Sequence, residues 1–355
     1  MGKTLIVGGY GKVGGIITGL LSKTMPGNIV IAGRNRDRAH QWVTSRSLET
    51  VVSVLDLSRK GFRDSLTNDI KRVIMCVDQE NPDFPLECIA RGIDYLDITA
   101  SFPIFNAIRM AKFTAKRTGC IAVLGSGLAP GLTNLMVAEG CREVPNPTSA
   151  TIDIILSLNS DHGKAAINWI VDKLYIPYFP GGEGRILVPP YSILHDFTDD
   201  SGHTFEAGNL DFADQHMVIQ SLGLKSCTTY LGFISRRQTR MLNWASRWKL
   251  LHLLKDPVIR GVTIKAFGRP STHDDSFTLH TTINGTGKDG KPESHTIEYR
   301  GENQSTHTAA ITVAFVEQLI QRRPYPGIYF PEELFQYERT LEIVPDIIES
   351  TEQLN

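Results

Sequence analysis

The chain has 355 residues, of which 41% are hydrophobic and 21% charged, and its 37 basic and 38 acidic residues give a formal net charge of -1. This composition is typical of a soluble globular protein, and the balanced charge predicts neither nucleic acid nor a membrane as a partner. No apolar run reaches the roughly 18 residues of a membrane span, the N-terminus lacks the layout of a signal peptide, and the five cysteines form no C-x-x-C pair, which favours a reducing cytoplasm.

The first predicted strand, Thr4–Val7, runs directly into a glycine-rich turn and then a helix. The turn carries the pattern G-x-G-x-x-G, and strand, turn and helix form the context in which that pattern binds a dinucleotide. Its glycines would allow a tight turn, a close approach of a pyrophosphate and close helix packing, while the helix N-terminus would attract the phosphates. A glycine-rich turn without a ligand is the alternative. Gly9, Gly11 and Gly14 would hold the pyrophosphate, and the predicted cofactor-binding residues of this loop are Gly8, Gly9, Tyr10, Gly11, Lys12, Val13 and Gly14.

The second predicted strand, Asn28–Ala32, ends near Arg34. An acidic side chain is usual at this place in proteins that bind a dinucleotide without a 2′-phosphate, whereas a guanidinium matches that phosphate in charge and geometry. We therefore predict NADP(H) as the preferred cofactor, with Arg34, Asn35 and Arg36 near the adenosine phosphate. The alternative is a solvated helix start, and Asp37 is close enough to leave NAD binding possible.

Further strands alternate with helices as far as residue 124. The predicted strands are Thr50–Leu55, Arg72–Val77, Ile93–Asp97 and Cys120–Leu124, and one of the helices is Ala107–Lys116. This alternation predicts an α/β fold, a Rossmann-type doubly wound parallel sheet whose strands end along a common edge. Besides the glycine loop and Arg34, that edge would receive Asp56 near the adenine, Cys76 and Val77 near the ribose and nicotinamide, and Asp97 and Thr99.

Three further segments carry a resemblance to one protein family. They are Gly33–Asn35, Gly92–Asp97 and the run G-S-G-L-A-P-G-L-T-N at Gly125–Asn134, and together with the glycine loop they resemble the saccharopine dehydrogenase and lysine dehydrogenase family, most specifically over residues 4–138. The resemblance implies a Rossmann domain over residues 1–135, an inserted α/β (α+β) substrate and dimerisation domain over 136–305, and a segment over 306–355 that returns to the first domain. A homodimer is therefore expected.

The chemistry implied by the resemblance is hydride transfer between a nicotinamide and a carbon that bears nitrogen, in an amino acid or a related amine. Asp97 and His162 are the candidates for proton handling or amine binding, although either could simply cap a turn. Saccharopine reductases that resemble this chain carry Asp where Ala129 stands, so saccharopine itself is a weaker prediction. Alternatives are a reductase of a carbonyl or activated alkene, which would need a Tyr or Lys donor, and a dinucleotide-sensing protein without activity.

The middle of the chain gives weaker signals. Asp211, Asp214 and His216 could line a cleft or hold a metal, but no ligand spacing repeats, so no metal is predicted. Residues 235–255 form a basic amphipathic pattern with the apolar stripe Met241, Leu242, Trp244, Trp248, Leu251 and Leu254. Such a helix can lie on a membrane, but the neutral chain favours a packed helix with a solvated face. The acidic tail from Glu342 is predicted to be peripheral.

Overall fold

The computed structural model describes residues 2–58, 60–157, 164–182, 186–267 and 275–352. The chain divides into two compact units: unit 1 comprises Met1–Leu132 and Ser305–Asn355, and unit 2 comprises Thr133–Gln304. The strands are β1 (Lys3–Val7), β2 (Ile29–Gly33), β3 (Val51–Val54), β4 (Ile70–Met75), β5 (Asp94–Asp97), β6 (Ile121–Leu124), β7 (Asn146–Leu156), β8 (Gly181–Gly182), β9 (Leu194–Thr198), β10 (Thr204–Asn209), β11 (Ser226–Phe233), β12 (Ser276–Thr286), β13 (Pro292–Glu302) and β14 (Gly327–Tyr329).

The helices surround these strands in both units. They are α1 (Lys12–Thr24), α2 (Arg36–Thr44), α3 (Asp83–Ala90), α4 (Phe102–Arg109), α5 (Lys112–Thr118), α6 (Leu132–Glu143), α7 (Lys164–Lys173), α8 (Ala213–Leu222), α9 (Arg236–Arg247), α10 (Pro257–Phe267), α11 (Gln304–Gln321) and α12 (Tyr337–Glu352). Nowhere in the described ranges does a helix combine the length and apolarity needed to cross a membrane.

Unit 1 is built on a parallel sheet with the strand order β14-β6-β5-β4-β1-β2-β3. The inner strands are continuous apolar runs such as Leu5-Ile6-Val7, and these side chains are buried because both faces of a parallel sheet are covered. The order 3-2-1-4-5-6 within this sheet is that of the Rossmann fold. The predicted doubly wound α/β fold is therefore confirmed.

The C-terminal part of the chain completes unit 1. β14 pairs in parallel with β6 at one edge of the sheet, and α11 is a largely buried helix. The acidic tail, predicted to be peripheral, instead forms most of α12, which packs against α1. That prediction was wrong because Val344, Ile347 and Thr351 recur at helical spacing and are buried, although acidic residues lie between them.

Unit 2 contains a mixed sheet with the strand order β13-β12-β7-β11-β10-β9, and β8 pairs with β11 off this path. β7 and β11 are parallel, whereas the other pairings are antiparallel. The turns that join β9 to β10 and β12 to β13 contain Gly202 and Gly290 with positive φ angles of 83° and 80°, as hairpin turns require. This sheet and its helices confirm the prediction of an inserted second α/β (α+β) domain.

Two predicted helices are interrupted in the structure. The predicted helix Ala107–Lys116 is divided between α4 and α5. The pattern over residues 235–255 forms α9 and a 3₁₀ turn, Leu250–Lys255, because Lys249 adopts a left-handed conformation with φ 57°. The predicted apolar stripe is divided as well: Leu242, Leu251 and Leu254 are buried, whereas Met241, Trp244 and Trp248 are exposed.

Candidate functional site

The glycine loop between β1 and α1 is a close-packed turn. A Cβ atom on Gly14 would overlap the carbonyl oxygen of Gly8, and one on Gly9 would lie 2.7 Å from Cγ2 of Ile31. Gly8 itself has φ +81°, a conformation that L side chains rarely adopt. The hydroxyl oxygen of Thr18 lies 2.8 Å from the carbonyl oxygens of both Gly9 and Gly14, which ties the loop to the first turns of α1. The backbone segments of the loop therefore lie so close together that side chains are excluded from these positions.

The N-terminus of α1 follows directly from this loop. Gly11 occupies the N-cap position in an extended conformation, no side chain caps the helix, and the first turn contains no acidic residue. The first backbone N–H groups of a helix carry partial positive charge and attract anions. Lys12 and Val13 form the start of the helix and are half-buried. The arrangement suits a phosphate or pyrophosphate group.

Tyr10 connects the glycine loop with the end of β2. Its hydroxyl oxygen accepts a hydrogen bond from the backbone N–H of Asn35 at 3.1 Å, and a Cβ atom on Gly33 would overlap the Tyr10 ring. Asn35 Oδ1 in turn accepts a hydrogen bond from the N–H of Arg38 at 2.9 Å and caps α2. Arg34 and Arg36 flank Asn35 and are exposed. The carboxyl end of β2 thus presents two guanidinium-bearing residues next to a backbone segment that is held in place by Tyr10.

The ends of β3 and β4 hold the next predicted residues. Oδ1 of Asp56 lies 3.1 Å from the N–H and 2.7 Å from the hydroxyl of Ser58 and so stabilises the turn after β3. Cys76 and Val77 follow β4, and a Cβ on Gly8 would lie 2.7 Å from Cγ1 of Val77, so this strand end touches the glycine loop. Burial and the nearby charge of Asp97 raise the pKa of the Cys76 thiol well above its usual value. Cys76 is therefore a protonated thiol and not a thiolate nucleophile.

Asp97 ends β5 and is fully buried. Its Oδ2 accepts hydrogen bonds from the hydroxyl of Tyr95 at 2.6 Å and from Nε2 of Gln79 at 3.0 Å, and its Oδ1 accepts one from the N–H of Thr99 at 2.8 Å. Burial raises the pKa of Asp97 and the charge of Asp78 adds to this effect, whereas the hydrogen bonds from Thr99 and Tyr95 oppose it. The carboxyl group both caps a turn and organises a polar network at the carboxyl edge of the sheet.

Gln79 is a member of this network that the sequence analysis did not identify. Its Nε2 also lies 2.9 Å from the hydroxyl of Tyr95, so the amide nitrogen is directed toward both Tyr95 and Asp97. Its Oε1 is buried and has no hydrogen-bond partner within the described ranges. A buried amide oxygen without a partner is costly unless a ligand or water satisfies it. Gln79 therefore presents an acceptor to an N–H donor, and a glutamine outside a motif gives no sequence signal for this.

The Gly125–Asn134 run forms the compact loop after β6 and the first residues of α6, and its part in unit 1 ends at Leu132. Gly131 has φ +140°, and a Cβ atom there would overlap the backbone of Gly127. Thr312 of α11 donates a hydrogen bond to the Ser126 carbonyl oxygen at 2.8 Å, so the returning C-terminal segment holds this loop. His307, in the first turn of α11, is buried, and burial lowers its pKa to about 4, so the imidazole is neutral at pH 7.

The remaining predicted residues belong to unit 2. His162 lies outside the described residues. Asp211 is hydrogen-bonded to Nζ of Lys173 at 2.6 Å and to Nε2 of His216 at 2.8 Å. Asp214 is fully buried and accepts hydrogen bonds from the hydroxyls of Thr133 and Thr229. In the part of the chain that the structure describes, no cluster of His, Cys, Asp and Glu has an arrangement that could hold a metal ion.

Neither a protein-family model nor a curated protein matches the amino-acid sequence. Solved structures match the fold over nearly the whole chain. Saccharopine dehydrogenase (L-Glu forming) from Saccharomyces cerevisiae superimposes with a TM-score of 0.68 at 12% sequence identity, covering 99% of this chain and 98% of that chain. An engineered D-amino acid dehydrogenase superimposes with a TM-score of 0.50 at 13% identity, covering 98% and 99% of the two chains. This chain therefore shares the architecture of these proteins from end to end.

Proposed function

We propose that this chain is an NADP(H)-preferring oxidoreductase of the saccharopine dehydrogenase-like type, which acts on a C–N bond of an amino acid or a related amine. The observation that carries the proposal is the uncapped N-terminus of α1 behind a glycine loop with no room for side chains, next to the exposed Arg34. The end-to-end likeness to two proteins named as amino-acid dehydrogenases supports it.

The residues present fit a nicotinamide dinucleotide. The loop from Gly8 to Gly14 would receive the pyrophosphate, because Cβ atoms are excluded there and backbone N–H groups are close by. Arg34 and Arg36 would bind the 2′-phosphate, with Asn35 fixing the backbone between them. Asp56 would lie near the adenine, and Cys76, Val77 and Thr99 near the ribose and nicotinamide. When bound, the cofactor would supply or accept the hydride.

The polar network around Asp97 would act on the nitrogen of the substrate or on the nicotinamide amide. Asp97 has no exposed surface, so we assign it a positioning role. Its Oδ2 accepts a hydrogen bond from Nε2 of Gln79 and so orients that side chain, whose Oε1 would accept a hydrogen bond from an N–H of the ligand. The nitrogen of an amine or of a protonated imine provides such a donor, which favours C–N chemistry over carbonyl reduction. Carbonyl reduction would need a proton donor such as a tyrosine hydroxyl. The hydroxyl of Tyr95 is buried and already hydrogen-bonded to Asp97.

Other parts of the proposal rest on the sequence. His162 remains a candidate for proton transfer, and Ala129 in place of an acidic residue favours a substrate other than saccharopine. We also propose the domain boundaries 1–135, 136–305 and 306–355 and a homodimer.

A binding titration followed by a turnover assay tests the proposal. Purified protein should quench or shift NADPH fluorescence at micromolar concentrations and bind NADH more weakly. With NADPH, a panel of imines derived from amino acids should be reduced, and the corresponding amines should be oxidised with NADP⁺. Binding without turnover of any imine, amine, carbonyl or activated alkene would favour a dinucleotide-sensing protein. Turnover of carbonyls or alkenes alone would replace the C–N assignment, and no binding of either dinucleotide would refute the whole proposal.

A further inference from the structure

Helix α9 exposes its more apolar face. At about 100° per residue, Met241, Trp244 and Trp248 fall on one side of the helix. They are 58%, 56% and 68% exposed. The buried side is formed by Thr239, Leu242 and Ser246, two of which carry hydroxyl groups. A helix that only packs on its own unit would bury its apolar side chains and expose its hydroxyl groups. Packing within unit 2 therefore does not explain the exposed positions of the two tryptophans.

Exposed apolar side chains also follow α9 along the chain. The 3₁₀ turn Leu250–Lys255 contacts both α9 and α10, and Leu253 in it is 53% exposed. In α10, Val258 and Val262 are 73% and 63% exposed and lie one turn apart. Of the 21 large hydrophobic side chains that are exposed among the described residues, eight lie between positions 241 and 262. We call this surface the Trp244 face; it comprises Met241, Trp244, Trp248, Leu250, Leu253, Val258, Ile259 and Val262.

Basic residues are concentrated in the segment that carries the Trp244 face. Residues 234–267 contain eight Lys or Arg and a single acidic residue, Asp256, in a chain whose total charge is almost balanced. The basic residues are Arg236, Arg237, Arg240, Arg247, Lys249, Lys255, Arg260 and Lys265. Two of them form ion pairs within unit 2: Arg240 with Glu206 and Arg260 with Asp172. The segment that carries the face is therefore positively charged, and seven of its eight basic side chains are exposed.

From this combination we infer that the Trp244 face docks on the surface of an anionic phospholipid bilayer. Tryptophan prefers the level of the lipid headgroups, and an amphipathic helix with Lys and Arg on its polar side lies in that interface. The exposed basic side chains of this segment would be attracted by the anionic headgroups. A second copy fits less well, because a two-fold interface through this face would place two surfaces of the same positive net charge against each other. The inference is independent of the reaction proposed above.

Vesicle flotation of the full-length protein tests the inference. Vesicles of equimolar phosphatidylcholine and phosphatidylserine should bind the protein, vesicles of phosphatidylcholine alone should bind it much less, and added salt should weaken the binding. The variant Trp244→Ser/Trp248→Ser should lower the partition coefficient on the mixed vesicles at least about tenfold, because both side chains lose their burial in lipid. The matched control is Phe113→Ser, which removes an aromatic side chain that is 90% exposed in unit 1.

A second variant separates the electrostatic contribution. Arg236→Gln/Arg237→Gln/Arg247→Gln/Lys249→Gln should bind mixed vesicles weakly and with little dependence on salt. Unchanged thermal unfolding would show that each variant is folded. The inference is overturned if the mixed vesicles do not bind the wild type, or if the tryptophan variant binds them as well as the Phe113→Ser control does. It is also overturned if the tryptophan variant turns a dimer into a monomer in light scattering while vesicle binding stays unchanged.

Discussion

The hydroxyl oxygen of Tyr10 accepts a hydrogen bond from the backbone N–H of Asn35 at 3.1 Å, and so joins the glycine loop to the end of β2. These two segments would bind different phosphate groups of the cofactor, the pyrophosphate and the 2′-phosphate of the adenosine. The bond therefore fixes the distance between two phosphate-binding segments.

Tyr10→Phe removes this bond and leaves the N–H of Asn35 to find another partner. The net value of such a hydrogen bond is about 0.5–1.5 kcal/mol, so we expect the Kd for NADPH to rise about 2- to 10-fold. Fluorescence titration measures this. Tyr325→Phe, at a tyrosine that is 89% exposed, is the matched control, and an equal effect of both variants would contradict the assignment.

Gly14→Ala places a methyl group on the carbonyl oxygen of Gly8, so the loop or α1 must shift. We expect loss of measurable NADPH binding and a lower free energy of unfolding, in the range of about 1–3 kcal/mol that overpacking costs. Gly61→Ala, where a Cβ meets no atom within 4 Å, should change neither quantity. Normal NADPH affinity in Gly14→Ala would show that the pyrophosphate does not bind at this loop.

Arg34→Ala tests the preference between the two dinucleotides. Hydrogen bonds to charged groups contribute about 1.5–3 kcal/mol, so the Kd for NADPH should rise about 10- to 100-fold while that for NADH changes little. Arg117→Ala, at another exposed arginine of unit 1, controls for the change in total charge. If Arg34→Ala weakens both dinucleotides equally, the guanidinium does not contact the 2′-phosphate.

Tyr95→Phe removes the 2.6 Å hydrogen bond to Asp97. Because that bond lowers the pKa of Asp97, its loss should raise a pKa that burial already elevates. A carboxyl group whose pKa is higher in the folded than in the unfolded state lowers the stability of the fold as the pH rises from the unfolded-state pKa to the folded-state pKa. The variant should therefore lose more stability at pH 7 than at pH 5, with a loss of about 1–3 kcal/mol at pH 7.

Urea unfolding at the two pH values measures this difference. The double variant Tyr95→Phe/Asp97→Asn carries no titrating carboxyl group at this position, and its stability relative to Asp97→Asn should not depend on pH. A loss in Tyr95→Phe that is equal at both pH values would contradict the coupling between the hydroxyl and the charge of Asp97.

His307→Gln should reduce the sensitivity of the fold to acid. Burial lowers the pKa of His307 from 6.5 to about 4. Between these values the unfolded chain binds a proton that the folded chain does not, so the wild type loses stability as pH falls from 6.5 to 4, by up to about 3 kcal/mol. The variant should lack this part of the loss in urea unfolding, whereas His40→Gln, at an exposed histidine, should retain it.

The sequence predicted the Rossmann sheet well because its strands are continuous apolar runs and its glycine loop lies between a strand and a helix. It predicted the outward-facing residues of α9 wrongly. Met241, Leu242 and Trp244 all satisfy a helical apolar pattern, but only the neighbouring strands decide which side of the helix is buried. Helix α12 was not predicted from the sequence, because acidic residues interrupt the helical spacing of the buried residues Thr340, Val344 and Ile347.

The candidate site was predictable only where backbone geometry requires a residue type. Gly8 and Gly14 are such positions, and the sequence pattern identifies them. The role of Asn35 as a helix cap follows from its place before α2 but was not recognised. Gln79, which follows β4, depends on contacts with Tyr95 and Asp97 of β5. These segments meet only in the folded chain, so no local pattern could point to Gln79.

The pairing of β14 with β6 has a consequence for synthesis on the ribosome. Unit 1 is interrupted by the whole of unit 2, so β6 is made long before β14 and α11 emerge. Until then the nascent sheet has an open apolar edge, the kind of surface on which chains aggregate. Chaperones that bind nascent chains should therefore engage this protein in the interval between translation of residue 124 and residue 329.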